Sequence, residues 1–459
     1  MSDTPHWSDI RHWMRPGTLQ LQGLPPLSLY IHLPWCLKKC PYCDFNSHEW
    51  SATSAPGQPM PEQAYLDALR ADLEAALPLI WGRQVHSVFI GGGTPSLFSP
   101  EAIDRLLGDV RALLKLDADA EITLEANPGT FEKDRFKAFR AAGVTRLSIG
   151  VQSFNDAHLK ALGRVHDRAQ AMAAVEEAAQ AFDTFNLDIM YALPGQTLAQ
   201  CEDDIRTALS FQPPHISIYD LTIEPNTVFA KFPPQVPEDD DAYAMLDRIT
   251  ELTAEQGLGR YEVSAYARAG HRCWHNLNYW QFGEYPPAVP EDDDAYAMLD
   301  TLTAHTAAAG LQRYEISAYA RPGHRCWHNL NYWQFGDYLG IGAGAHSKLS
   351  FAHRVVRQVR AREPRLYMDK ARAGDAVVSV EEVTRKELPF EYMLNALRLR
   401  HGFELQQFTD RTGLPLSSIQ PALDQAVQKG LIESAGGVVT PTERGFDFLS
   451  DLQGLFLSN

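Results

Sequence analysis

Short apolar runs alternate with longer amphipathic stretches along the first half of the chain. Leu27–Leu33 (LSLYIHL), Val85–Ile90, Glu121–Ala126, Arg146–Val151, Phe185–Met190 and His215–Ile223 predict strands. Between them Glu62–Leu77, Pro100–Leu114, Thr130–Ala142, Asp167–Phe182 and Leu198–Leu209 predict helices. Strand, helix and strand at this spacing are the signature of βα units around a parallel sheet. Ligands of such folds sit at the carboxyl ends of the strands. The segments that follow the first five strands read PWCLKKCPYCDF, GGGTPS, NPG, QSF and YALPGQ. They are rich in Gly, Pro, Cys and polar residues, as a built site would be.

The second half carries an internal repeat. Pro233–Tyr285 and Pro286–Tyr338 align without gaps, with 42 of 53 positions identical. Solenoids and propellers need about three copies or more to bury a core, so two near-identical copies read as a tandem duplication with one copy surplus. Copy two runs directly into YLGIGAGAHS and is expected to hold the native place, with copy one as the insertion. The GIGAGAH stretch at Gly340–His346 is expected to form a tight turn closing the sheet, since no helix with an acidic residue follows as a dinucleotide site requires. From Arg385 onward three helix-like stretches and a short hairpin predict a small winged-helix-like domain. The expected organisation is an irregular lead-in over 1–26, an α/β domain over 27–350, a linker over 351–384 and the C-terminal domain over 385–459.

Composition narrows the function classes. Hydrophobic residues at 45% and charged residues at 22% exclude a collagen-like, mucin-like or wholly disordered chain. Asp and Glu outnumber Lys and Arg by 58 to 41, which argues against a nucleic-acid partner gripped through its phosphates. No apolar run approaches the ~18 residues of a membrane span, and the first residues lack the basic-then-apolar order of a signal peptide. A cytoplasmic location with at most peripheral membrane contact is expected. Six cysteines in 459 residues are too few for a secreted disulfide scaffold.

Three of those cysteines lie within eight residues. Cys36, Cys40 and Cys43 form C-x3-C-x2-C directly after the first predicted strand. Three thiolates suit three irons of a [4Fe-4S] cluster, leaving one iron open. Zinc prefers four ligands in paired knuckles, and no second pair lies nearby. A redox dithiol would not need the third cysteine. Tyr42 is placed to shield such a cluster or to pack on an adenine.

The motifs YIHLPWCLKKCPYCDFNS, GGGTPS, EANPGT, GVQSF, LDIMYALPGQT, YEISAYARPGHRCWHNLNYW and YLGIGAGAHS occur in this order. Together they resemble the radical S-adenosylmethionine superfamily, and within it the oxygen-independent coproporphyrinogen oxidase-like family, nearest to its haem-chaperone branch. The resemblance runs from about Leu27 to the C-terminus, the duplication apart. It implies an incomplete (β/α) barrel of about six strands, a [4Fe-4S] cluster on the three cysteines and S-adenosylmethionine as cofactor. Gly92, Gly93 and Thr94 match the family's GGTP turn, where glycines would let backbone N–H groups approach a charged ligand. Tyr30, Glu125, Gln152, Arg164 and Asp188 match cofactor-contacting positions. Carboxylates suit ribose hydroxyls and the sulfonium, and Arg suits a carboxylate.

The H-N-x-x-Y motif, at His328 to Tyr332 and again at His275 to Tyr279, is associated with haem in that family, and imidazole is a common axial ligand. Two functions follow as alternatives. One is a haem chaperone that passes haem to acceptor apoproteins, with an electron donor for the cluster. The other is radical decarboxylation of coproporphyrinogen III. The family's oxidases carry a fourth cysteine two residues after the third, where this chain has Phe45, and they have a longer N-terminal segment. Both departures favour the chaperone.

Overall fold

The computed structural model describes residues 6–50, 57–130, 134–256, 333–399, 401–442, 444–445 and 448–457, with the short strand pieces 259–260, 265–267, 312–313 and 319–320. His275, His328 and Tyr332 lie outside the described residues.

Six βα-type strands follow one another: β1 (Leu27–Leu33), β2 (Gln84–Gly92), β3 (Lys115–Ala126), β4 (Arg146–Gln152), β5 (Phe185–Tyr191) and β6 (His215–Asp220). They pair in parallel in that order. Copy one carries β7 (Ala265–Ala267), and from the end of copy two onward come β8 (Asp337–Gly342), β9 (His346–Phe351), β10 (Arg354–Arg360) and β11 (Val377–Glu382). β8 lies parallel to β1 on its other side, and β9, β10 and β11 continue antiparallel. The sheet order is linear, so among the described residues the sheet does not close. The six expected strands are present, in a wider sheet than expected.

The helices α1 (Glu62–Ile80), α2 (Pro100–Leu113), α3 (Arg135–Ala142), α4 (Arg168–Ala181) and α5 (Leu198–Ser210) cross between these strands. Alternation along each strand explains the layering. In β1, Leu29, Ile31 and Leu33 join one core with Leu66 and Leu69 of α1, Leu106 and Val110 of α2, and Phe136 and Phe139 of α3. The intervening Ser28, Tyr30 and His32 face the other way. Start signals are local: Ser99 caps α2 ahead of Pro100, and Asp167 and Thr197 form capping boxes with Gln170 and Gln200.

Two expectations are corrected. The stretch 351–384 is no linker. It supplies β10, α7 (Pro364–Arg372) and β11, and fully buried Arg360 forms an ion pair with fully buried Asp72 of α1 at 3.4 Å. Its strands extend a sheet whose edge would otherwise expose unpaired backbone.

The second correction concerns the repeat. Copy one supplies α6 (Asp239–Glu255), which packs against α5 with Met245, Ile249 and Leu252 buried, and β7, which pairs antiparallel with β6. In copy two the described residues are Gln312–Arg313 and Tyr319–Ala320, which pair antiparallel, and the stretch from Trp333, whose last two residues begin β8. Among the described residues the domain thus takes α6 and β7 from copy one and the first two residues of β8 from copy two. A physical reason is visible in the sequence: the residue of copy two equivalent to buried Leu252 is His305.

Asp337, the first residue of β8, is fully enclosed. It accepts from Lys348 Nζ at 3.2 Å, Arg83 Nη1 at 2.8 Å and Ser350 Oγ at 2.8 Å. Burial pushes Lys348 down to about 8. The lead-in is anchored by a short helix whose Trp13 stacks on Phe351. α8 (Leu388–Ala396), α9 (Leu405–Thr412), α10 (Gln420–Gln428) and a three-stranded antiparallel sheet build a second core around Tyr392, Phe408, Leu423 and Val439, which also takes in Phe335 and Val355 of the first domain. No helix among the described residues is long and apolar enough to cross a membrane.

Candidate functional site

β1 ends at Leu33, and the cysteine loop begins immediately. Its neck is stitched by pairing of Trp35–Cys36 with His48–Glu49 and by Trp50 N–H donating to Cys36 O at 2.8 Å. Inside it, Cys43 N–H donates to Cys40 O at 3.2 Å. Each thiol has its own polar neighbour. Thr94 Oγ1 donates to Cys36 Sγ at 3.5 Å, Cys43 Sγ pairs with Ser47 Oγ at 3.6 Å, and Arg164 Nη1 reaches Cys40 Sγ at 3.7 Å. Burial pushes the Cys36 thiol up to about 11 and also raises that of Cys43.

Among the described residues no three Cys, His, Asp or Glu side chains converge on a single-ion site. Three thiols on one short loop, each with its own polar neighbour, suit a cluster that takes one thiolate per iron.

The GGGTPS segment following β2 locks onto this loop. Gly93 N–H donates to Leu33 O and Thr94 N–H to Trp35 O, each at 2.8 Å, while Gly92 N–H donates to Glu125 Oε2 at 3.1 Å. This corrects the expectation that these N–H groups approach a charged ligand, because protein acceptors already hold them. The glycines serve close packing instead. A Cβ on Gly92, at φ +119°, would lie 2.7 Å from the His32 ring, and one on Gly93 would lie 2.6 Å from Trp35 O.

Below the loop, strand ends that are not neighbours converge. Tyr30 (β1) and Asp188 (β5) both act electrostatically on Glu125 (β3) or are acted on by it, with intervening strands between them. Side chains two strands apart on one face of the sheet thus lie within electrostatic reach. Tyr30, Glu125 and Asp188 keep partial accessibility between buried neighbours, and Arg164 and Tyr219 are likewise partly accessible. Tyr219 Oη donates to Gln152 Oε1 at 2.8 Å, and Gln152 sits at φ +69°. Arg164 Nη2 donates to Gly150 O at 2.7 Å. Tyr42 lies to one side, against Leu162, Met190 and Phe229, and burial raises its hydroxyl pKa. The structure thus gathers Tyr30, Gly92, Gly93, Thr94, Glu125, Gln152, Arg164 and Asp188 around the cysteine loop.

Burial, then the Asp188 charge, push Glu125 from 4.5 up to about 8, and burial also raises Asp188. An acid with a raised folded pKa keeps a proton that the unfolded chain has released, so between these values stability falls as pH rises. Glu125→Gln removes that penalty. Melts of metal-free wild type and variant should coincide near pH 4.5 and separate toward pH 8, the variant gaining about 1.4 kcal/mol per pH unit. Parallel melting curves across the window would exclude a buried, protonated Glu125.

Several residues of the site escaped sequence reasoning. His32 accepts from Tyr30 Oη at its Nδ1 (2.9 Å) and donates from Nε2 to Asn46 O (2.9 Å), and burial lowers it to about 4. Asn46 Nδ2 donates to Ala343 O and Arg362 O, both at 2.9 Å, clipping the cysteine loop to the turn after β8. Asn186 lies buried beneath Asp188, and Tyr219 bonds Gln152. The available signal was a polar residue two places from a candidate on the same strand, as Tyr30 to His32 or Asn186 to Asp188.

A model of the radical SAM superfamily matches residues 30–208, and one of the HemN C-terminal domain matches 383–448. The chain is 42% identical over 441 residues to a protein named heme chaperone HemW from Haemophilus influenzae, covering 95% of this chain and 99% of that one. It is 43% identical over 437 residues to the protein of that name from Escherichia coli, with the same coverage. Identity to the Bacillus subtilis protein of that name is 32% over 434 residues, covering 94% and 99%. In fold it is similar to the radical SAM enzyme coproporphyrinogen III oxidase (HemN) of Escherichia coli, with a TM-score of 0.68 at 22% identity over 95% of this chain and 91% of that one.

Proposed function

The chain belongs to the radical SAM superfamily and, within it, to the HemW family, and from that premise we propose that it is a haem chaperone, binding haem and handing it to acceptor apoproteins. The observation that carries this reading is the near full-length similarity to heme chaperones HemW. Phe45 supports it, standing half-exposed where the family's oxidases place a fourth cysteine.

The superfamily implies a [4Fe-4S] cluster and S-adenosylmethionine. Cys36, Cys40 and Cys43 would each ligate one iron. When bound, the cluster would supply an electron to the cofactor, drawn in turn from a separate electron donor. Arg164 suits the cofactor's carboxylate, and Glu125, Gln152 and Asp188 suit its ribose hydroxyls and amine. Tyr30 and Thr94 hold neighbouring groups in place, and Tyr42 shields the loop. His328 and Tyr332 are assigned to haem from the H-N-x-x-Y motif. A cytoplasmic location completes the reading.

The test is anaerobic cluster reconstitution followed by two assays on one sample. Haem binding without conversion of coproporphyrinogen III is expected, and His328→Ala should weaken that binding more than His275→Ala. Sustained decarboxylation by the purified protein would reverse the assignment.

A further inference from the structure

Asn186 and Asp188 lie two residues apart on β5 and so face the same side of the sheet. All four hydrogen-bonding positions of the Asn186 amide are engaged. Its Nδ2 donates to Asp188 Oδ1 at 2.7 Å and to Ser148 Oγ at 2.8 Å. Its Oδ1 accepts from His215 Nδ1 at 2.6 Å and from Ser217 Oγ at 3.1 Å. Ser148 Oγ in turn donates to Asp188 Oδ2 at 3.0 Å. Asn186 itself is fully buried.

This network has one direction. A carboxylate accepts only, so the amide must turn Nδ2 toward Asp188. Its oxygen then faces His215 and Ser217, which both can donate. Ser148, having accepted from Asn186, is left to donate to the second carboxylate oxygen. Each oxygen of Asp188 therefore has one donor beneath it from the strand layer, and the carboxylate plane is held. Glu125 has no such bed; its one hydrogen bond from the backbone comes from Gly92. Of these two acids, Asp188 is the one whose carboxylate the strand layer holds in place.

We propose that Asn186 is a positioning residue of this site, acting through Asp188 to hold its carboxylate for the ribose hydroxyls of S-adenosylmethionine. The inference rests on the reading of Asp188 as a cofactor contact. Removing a hydrogen bond to a charged group costs enough to expect about tenfold weaker cofactor binding.

The experiment measures S-adenosylmethionine dissociation constants by equilibrium binding on the cluster-loaded protein, for Asn186→Leu, Asp188→Asn and the double variant. Iron and sulfide content are measured alongside as a check on folding. Asn186→Leu should bind the cofactor about tenfold more weakly, and the same change should add nothing in the Asp188→Asn background. Ser148→Ala removes the donor to the second carboxylate oxygen and, with it, one acceptor of the Asn186 amide; it should weaken cofactor binding, a loss again absent beside Asp188→Asn, and it decides the matter if the leucine variant does not fold. Wild-type affinity in both Asn186→Leu and Ser148→Ala, or losses that persist in full beside Asp188→Asn, would overturn the proposal. Unchanged affinity in Asp188→Asn alone would instead overturn the underlying reading of Asp188.

Discussion

Replacing Cys36, Cys40 or Cys43 singly with serine should leave reconstituted protein with background iron and acid-labile sulfide, where the native chain should hold about four of each. The loop brings these three thiols together and no other described cysteine near them. Cys201 is buried on α5, where burial pushes its thiol up to about 12, and it cannot substitute. Polar neighbours also distinguish the three positions. Cys36 and Cys43 hold raised pKa values through burial, so bound iron must displace a proton at each, and cluster assembly should improve with rising pH. Because the thiols sit on a loop whose neck is closed by backbone pairing, folding itself should change little, by about 1 kcal/mol. Chemical analysis and thermal melts on the same preparations check both statements. A full cluster in any serine variant, or stoichiometric zinc without sulfide in the native chain, would refute the assignment.

The second large effect concerns the repeat. Three deletions each remove 53 residues and restore a single copy. Removing Pro233–Tyr285 puts His305 where Leu252 is buried, and a polar ring in that apolar contact should cost about 2–4 kcal/mol. Removing Pro286–Tyr338 instead puts Glu284 where Asp337 is enclosed by Lys348, Arg83 and Ser350, an extra methylene costing about 1–3 kcal/mol. Removing Ala265–Ser317 joins Ser264 to Ala318 and retains both Leu252 and Asp337. That chain should be the most stable of the three and should assemble its cluster fully. Equal melting temperatures for the first and third deletions would show that the copy-one helix does not hold the position assigned to it.

Local signals made much of the molecule legible. The six strands and five helices of the βα series follow from apolar periodicity, and the placement of the cysteine loop and GGGTPS follows from the rule that strand ends carry the site. The same reasoning missed β10 and β11 in the stretch taken as a linker. RVVRQVR and VVSVEE are short runs at a sheet edge, and their partner strands, not their own pattern, give them their place. It also credited Gly92 and Gly93 with presenting N–H groups, when the packing of His32 and Trp35 against them is what requires glycine.

What the sequence by itself determined is the element order, the three thiol ligands, the acidic and polar residues at the strand ends and the existence of two near-identical segments. Each of these is a property of residues near one another in the chain. Only the tertiary structure decided that the Asp188 charge reaches Glu125, that Asn186 hydrogen-bonds Asp188, that Asn46 ties the cysteine loop to the turn after β8, and that copy one supplies a helix packed on α5 while the end of copy two begins β8. Those outcomes depend on pairing strands so that residues far apart in sequence compete for the same buried space and the same hydrogen-bond donors. Neither the competitors nor the winner can be read from residues taken a few at a time.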